Sequence, residues 1–216
     1  MTKVTVTGYE GNTSSDVVIQ KLDSLGNAEA TYLWHDYDKK DKKTGETIHY
    51  EGWYDQDNSV YIQDGEVIIP AGKGLWVSAP SSDWKLLCNG QVLTAGQAIQ
   101  LRADFVMVAN PYPIAVDLTA LWVSGYEGNT SSDVVIQKLD NLGNAEATYL
   151  WHDYDKKDKK TGETIHYEGW YDQDNGVYIA QGDMLINPND GLWVSAPADT
   201  WYLNFPGILG DAPKAE

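Results

Sequence analysis

The chain has 216 residues and a formal charge of −17, with 32 acidic residues against 15 basic ones. A nucleic-acid groove needs an excess of cations to displace counterions, and an anionic bilayer attracts basic surfaces, so this acidic balance disfavours both partners. The lone cysteine, Cys88, excludes an intrachain disulfide framework, and no signal peptide or transmembrane run is legible, so membrane insertion is not expected.

Aromatic usage is skewed: nine Trp and fourteen Tyr stand beside two Phe. Trp and Tyr join a flat apolar face to a polar edge and suit half-exposed positions, although strands favour aromatics in any case.

In chain order, Lys3 to Thr7 alternates β-branched residues, and Gly8 to Asn12 is turn material. Asp16 to Asp23 has two readings. Val18, Leu22 and Leu25 have helical spacing with Ser15 as an N-cap, but the Val17-Val18-Ile19 run favours a strand. A turn at Ser24 to Asn27 and a return strand at Ala30 to Tyr37 follow. Asp38 to Glu46 is polar and reads as a solvated loop leading to a strand at Thr47 to Tyr54. Val60 to Ile62, Val67 to Ile69 and Leu75 to Val77 are short strand candidates, the last two flanking a turn at Pro70 to Gly74. Lys85 to Cys88 and Gln91 to Leu93 flank Asn89-Gly90, a strong hairpin signal.

Gly8 to Asn58 then recurs as Gly125 to Asn175, an offset of 117, with one difference in 51 positions, Ser24 against Asn141. The match continues more loosely: Gly74 to Pro80 returns as Gly191 to Pro197, and Trp84 as Trp201. Polar positions drift while apolar ones keep their character, as two copies of one fold require. A unit of this length is a domain or half-domain rather than a solenoid turn. Gln97 to Leu101 and Phe105 to Ala109, with the break at Asn110-Pro111-Tyr112-Pro113, have no earlier counterpart. The expected architecture is therefore all-β: two tandem antiparallel sandwich-like or barrel-like modules, 1–95 and 96–216, with linking strands over 97–118. The first module lacks a strand that the second owns, which leaves a sheet edge open to another chain.

Phe105 to Pro113 with Ala115 to Leu118, Asp133 to Asp140, Gly169 to Asp172 and Gly191 to Val194 together resemble repeat domains of large secreted or surface-anchored bacterial proteins. The resemblance implies an all-β fold and an extracellular or cell-surface setting, and it implies no defined chemistry.

The candidate ligand platform is the aromatic hairpin: Trp34, Tyr37, Trp53 and Tyr54, repeated as Trp151, Tyr154, Trp170 and Tyr171. Alternate strand residues share a face, so Tyr32 and Trp34 point one way and Leu33, His35 and Tyr37 the other. An exposed face would suit the apolar C–H side of a sugar ring; the competing role is cross-strand packing. Asp36, Asp38 and Asp41, with Asp153, Asp155 and Asp158 in the second copy, are the candidate metal carboxylates. They suit Ca²⁺ if any ion, but the EF-hand glycine and terminal Glu are missing and lysines surround them. No cofactor is called for. His35 and His49 would meet across the hairpin only if its turn centred near Lys42. With no nucleophile elbow, phosphate loop or zinc-protease helix, catalysis is not expected. Two functions fit: a glycan-binding or adhesion module gaining avidity from two copies, or a structural surface element whose partners are neighbouring copies of itself.

Overall fold

The computed structural model describes residues 3–208 apart from 24–26, 64–65, 70–73, 81–82, 90–91, 104, 141 and 189. The protein is all-β. Its strands are β1 (Lys3–Thr7), β2 (Thr13–Leu22), β3 (Ala28–Lys40), β4 (Thr47–Asp55), β5 (Val60–Tyr61), β6 (Leu75–Ser78), β7 (Lys85–Asn89), β8 (Gln97–Gln100), β9 (Val106–Ala109), β10 (Val116–Asp117), β11 (Trp122–Ser124), β12 (Thr130–Leu139), β13 (Ala145–Lys157), β14 (Thr164–Asp172), β15 (Val177–Tyr178), β16 (Leu185–Ile186), β17 (Gly191–Ser195) and β18 (Tyr202–Phe205). Among the described residues one 3₁₀ turn, Leu118–Ala120, interrupts them. Two compact units divide the chain, one holding most residues up to position 91 and the other those from Val92 onward.

In the first unit, a five-stranded antiparallel sheet runs β5-β4-β3-β2-β6, and β1 pairs β7 separately. In the second, the matching sheet is β15-β14-β13-β12-β17 with β9 added as a sixth strand; β18 lies between β11 and β8, and β10 pairs β16. The strands of the identical stretch recur 117 residues apart with closely similar burial patterns.

Local chemistry explains the departures from sequence expectation. The Asp16 to Asp23 stretch is strand as far as Leu22, beginning earlier at Thr13, and it is broken by a bulge. Ser15 takes a left-handed φ of 69°, and the pairing register shifts between Ser14 and Val18. The Asp16 carboxylate holds the bulge by accepting from the Thr13 hydroxyl at 2.5 Å and the Ser14 amide at 3.2 Å. Gly8 and Gly125 open each copy at φ of +90° and +87°. A Cβ there would fall 2.1 Å from the Asp83 carbonyl oxygen or 2.0 Å from that of Thr200, so only glycine fits.

The polar stretch expected to be loop over Asp38 to Glu46 is strand for its first three residues, because Asp38 pairs with His49, Lys39 with Ile48 and Lys40 with Thr47. The turn itself is short. The Asp41 carboxylate accepts from the amides of Lys43 at 2.7 Å and Thr44 at 2.8 Å, replacing a longer loop with an Asx-type turn. The expected turns at Ser24 to Asn27 and Pro70 to Gly74 fall largely outside the described residues. Of the expected Asn89-Gly90 hairpin, Gly90 and Gln91 lie outside the described residues; Lys85–Asn89 pairs with β1 over five residues, and Val92 and Leu93 are not strand. Val67 to Ile69 is likewise not strand, whereas its counterpart yields β16 through pairing with β10.

The two interiors differ sharply in size. Among the described residues, the second unit encloses twenty buried residues in one cluster, with Val134, Ile136, Leu192, Val194, Leu203 and Phe205 fully buried. Among the described residues, the first unit's cluster contains three, Val6, Val17 and Trp34, edged by Tyr9, Trp53, Trp84 and Leu86.

Candidate functional site

The hairpin β3–β4 and its copy β13–β14 carry every residue of the aromatic motif. Cross-strand register sorts them by face: Trp34 opposes Trp53, Tyr37 opposes Tyr50, and Leu33 opposes Tyr54. The alternation expected along β3 therefore holds.

The tryptophans face inward. Trp34 and Trp151 are each 4% exposed, Trp170 is 2% exposed, and Trp53 is half-buried. Each pair packs edge to face, with ring centres 5.3 Å apart in the first copy and 5.1 Å in the second. Burial obliges the indole N–H groups to find acceptors, and they do. Trp34 Nε1 donates to the Tyr9 hydroxyl at 3.2 Å, Trp53 Nε1 to the Val4 carbonyl at 2.8 Å, and Trp170 Nε1 to the Leu121 carbonyl at 2.9 Å. The Tyr9 hydroxyl in turn donates to the Asp36 carboxylate, as Tyr126 does to Asp153. Burial, reinforced by that carboxylate, pushes the Tyr126 hydroxyl up to about 12. This face is thus a cross-strand core clamp whose polar atoms are all spoken for.

The opposite face carries tyrosines around one histidine. His35 stacks on Tyr54 at 4.8 Å, meets Tyr37 and Tyr61 edge-on, and its Nδ1 lies 2.8 Å from the Tyr61 hydroxyl. Tyr37, Tyr50 and Tyr61 form a ladder across three strands, with centres 5.4 and 5.7 Å apart and planes within 19°. His152, Tyr154, Tyr167, Tyr171 and Tyr178 repeat it. Tyr50 and Tyr61 escaped the sequence reading because only the register across β3, β4 and β5 sets them beside Tyr37. In the ladder each ring covers a face of the next, which leaves hydroxyl-bearing rims more than open faces.

The carboxylates go two ways. Asp36 and Asp38 flank His49, with Asp38 Oδ1 3.0 Å from Nδ1 and Asp36 Oδ1 3.6 Å from Nε2. Asp153 and Asp155 flank His166 in the same manner. Asp41 and Asp158 instead cap their turns. Among the described residues, no group of three or more acidic, His or Cys side chains is arranged to hold a metal ion. His35 and His49 do not meet: His35 pairs with Gly52 and His49 with Asp38, because the turn lies at Asp41 to Glu46. Beside Trp170, a hollow of about 430 Å³ is lined by Leu121, Trp122, Glu168 and Tyr178 among others.

The two kinds of histidine should titrate apart. Burial lowers His35 and His152 below their ordinary 6.5, whereas the Asp155 carboxylate, hydrogen-bonded to the ring, raises His166. Because the folded state resists protonating His35 and His152, their contribution is complete above the unfolded value and falls away as pH drops below it. The His166 contribution has the opposite sign, present at low pH and lost as pH rises through its folded value. Proton NMR of the imidazole ring signals across pH 4–8 is expected to place His152 below His166; the reverse order would contradict the packing described.

No helix among the described residues is long and apolar enough to cross a membrane. The chain matches no protein-family model, and no curated protein or solved structure matches it at a significant level.

Proposed function

We propose that the chain is a non-catalytic structural repeat element that works outside the cell, with one finished β unit and one docking unit whose sheet edge is open. The observation that carries this reading is a contrast between equivalent strands. β17 is flanked on both sides, by β12 and β9, while β6 is paired only with β2 among the described residues. An unpaired row of backbone N–H and C=O groups is a template for another strand. The extracellular setting rests on the likeness of the strand and turn segments to secreted and surface-anchored repeat domains.

Against a sugar platform stand the inward tryptophans and the mutually covered tyrosine faces. The hollow beside Trp170 is the feature that favours a glycan reading. Sedimentation velocity at rising concentration, paired with a glycan array, tests the proposal. The expected result is reversible self-association, weakened by Val77→Lys on the exposed edge, with a blank array. A chain that stays monomeric at every concentration and binds a glycan saturably would overturn it.

A further inference from the structure

We propose that the first unit binds, in trans, an extended polypeptide segment with the chemistry of Gln97–Leu118, carried by a partner chain bearing another copy of that run. The proposal rests on the docking reading and names its partner.

Equivalent positions show what is missing. Leu192 and Val194 on β17 are fully buried, while their counterparts on β6 are a half-buried Leu75 and a Val77 that is 45% exposed. Ala196 is buried and Ala79 exposed. The second edge behaves alike. β18 pairs both β11 and β8, and its Leu203 and Phe205 are fully buried. β7 pairs only β1 among the described residues, and there Leu86 is half-buried while Leu87 and Cys88 are exposed.

One continuous run accounts for both differences. In the second unit, Gln97–Leu118 supplies β8 to the edge of β18 and β9 to the edge of β17. Along its length it places Leu101, Val106, Val108, Tyr112, Val116 and Leu118 in the core cluster. The run also carries its own turn: the Asn110 side chain donates to the Ile114 and Ile186 carbonyls and accepts from the Tyr112 amide, so the chain reverses without an unsatisfied buried amide.

The first unit keeps the receiving surface. The β2 to β4 segment is nearly identical in sequence to β12 to β14, Leu75-Trp76-Val77-Ser78 is identical to Leu192-Trp193-Val194-Ser195, and Ile69 stands where Ile186 does. A partner segment would add strands along both edges through backbone hydrogen bonds and set its alternate apolar side chains into the core, which is recognition by strand addition. An unrelated polar strand could satisfy the edges but would leave the apolar floor uncovered. That selects a segment with Val106-like and Val108-like positions and a following Tyr, Val and Leu.

The test is a titration of the full chain into a fluorescein-labelled synthetic peptide of residues 97–118, read by anisotropy, with hydrogen–deuterium exchange on the complex. Saturable one-to-one binding is expected, with new protection at Leu75–Ser78 and Lys85–Asn89. The peptide carrying Val106→Asp and Val108→Asp, and the chain carrying Val77→Lys, are each expected to weaken binding at least about tenfold. No saturation by about 1 mM peptide, binding that survives the Asp substitutions, or protection confined to the second unit would each overturn the proposal. A chain that self-associates through Val77 yet ignores the peptide refutes this segment while leaving the docking reading standing. A chain that binds the peptide but stays monomeric supports this segment and refutes only self-association between copies of this chain.

Discussion

Replacing Trp170 with alanine is expected to destabilise the second unit by about 3–5 kcal/mol, the cost of deleting a large buried aromatic from a close-packed interior. Trp170 is 2% exposed, packs edge to face on Trp151 and donates its N–H to the Leu121 carbonyl. The same substitution at Trp53 should cost clearly less. Trp53 belongs to an identical hairpin and donates to the equivalent Val4 carbonyl, but it is half-buried beside a cluster of three buried residues. The local sequence around the two tryptophans is the same, so the difference reports the surroundings alone. Urea unfolding followed by tryptophan fluorescence would measure both. Equal losses would mean that the two interiors are equally complete.

Val108→Asp is expected to do more, stripping β9 from the second unit at a cost above about 4 kcal/mol, because an uncompensated carboxylate cannot remain in a fully apolar site. Val108 is fully buried and pairs with Leu192 across the sheet edge. With β9 displaced, Leu192 and Val194 should become as accessible as Leu75 and Val77, so that the second unit comes to resemble the first. Exchange mass spectrometry on the β17 peptide is the readout. Unchanged protection of β17 with the chain still folded would show that β9 is not what covers it.

The strands were legible because β-branched and aromatic residues alternate between short turn signals, and because the duplication allowed each segment to be read twice. Several features were not, for physical reasons. Sequence shows that Trp34 and Tyr37 lie on opposite faces of β3, but not which face meets a core, since that depends on β1, β7 and Trp84, far away in the chain. The tyrosine ladder needs register across three strands to be seen. The bulge at Ser15 depends on a left-handed residue held by Asp16, a conformation serine rarely declares in advance. Local signals around Asn89-Gly90 gave no hint that Lys85–Asn89 would find a five-residue partner in β1, near the start of the chain. The unmatched run at 97–118 was visible as an asymmetry of the repeat, and its consequence for core burial emerges only when equivalent residues are compared.

Amide hydrogen exchange on the intact chain bears most directly on the claim that the first unit is an uncovered version of the second. Val17 to Gln20 and Val134 to Gln137 have identical sequences and therefore the same intrinsic exchange rates, as do the equivalent amides of Trp76 to Ser78 and Trp193 to Ser195. The account predicts that β6, and with it β2, exchanges orders of magnitude faster than β17 and β12, through local opening at the unflanked edge. Matching protection of the two sets in a dilute, partner-free sample would contradict it.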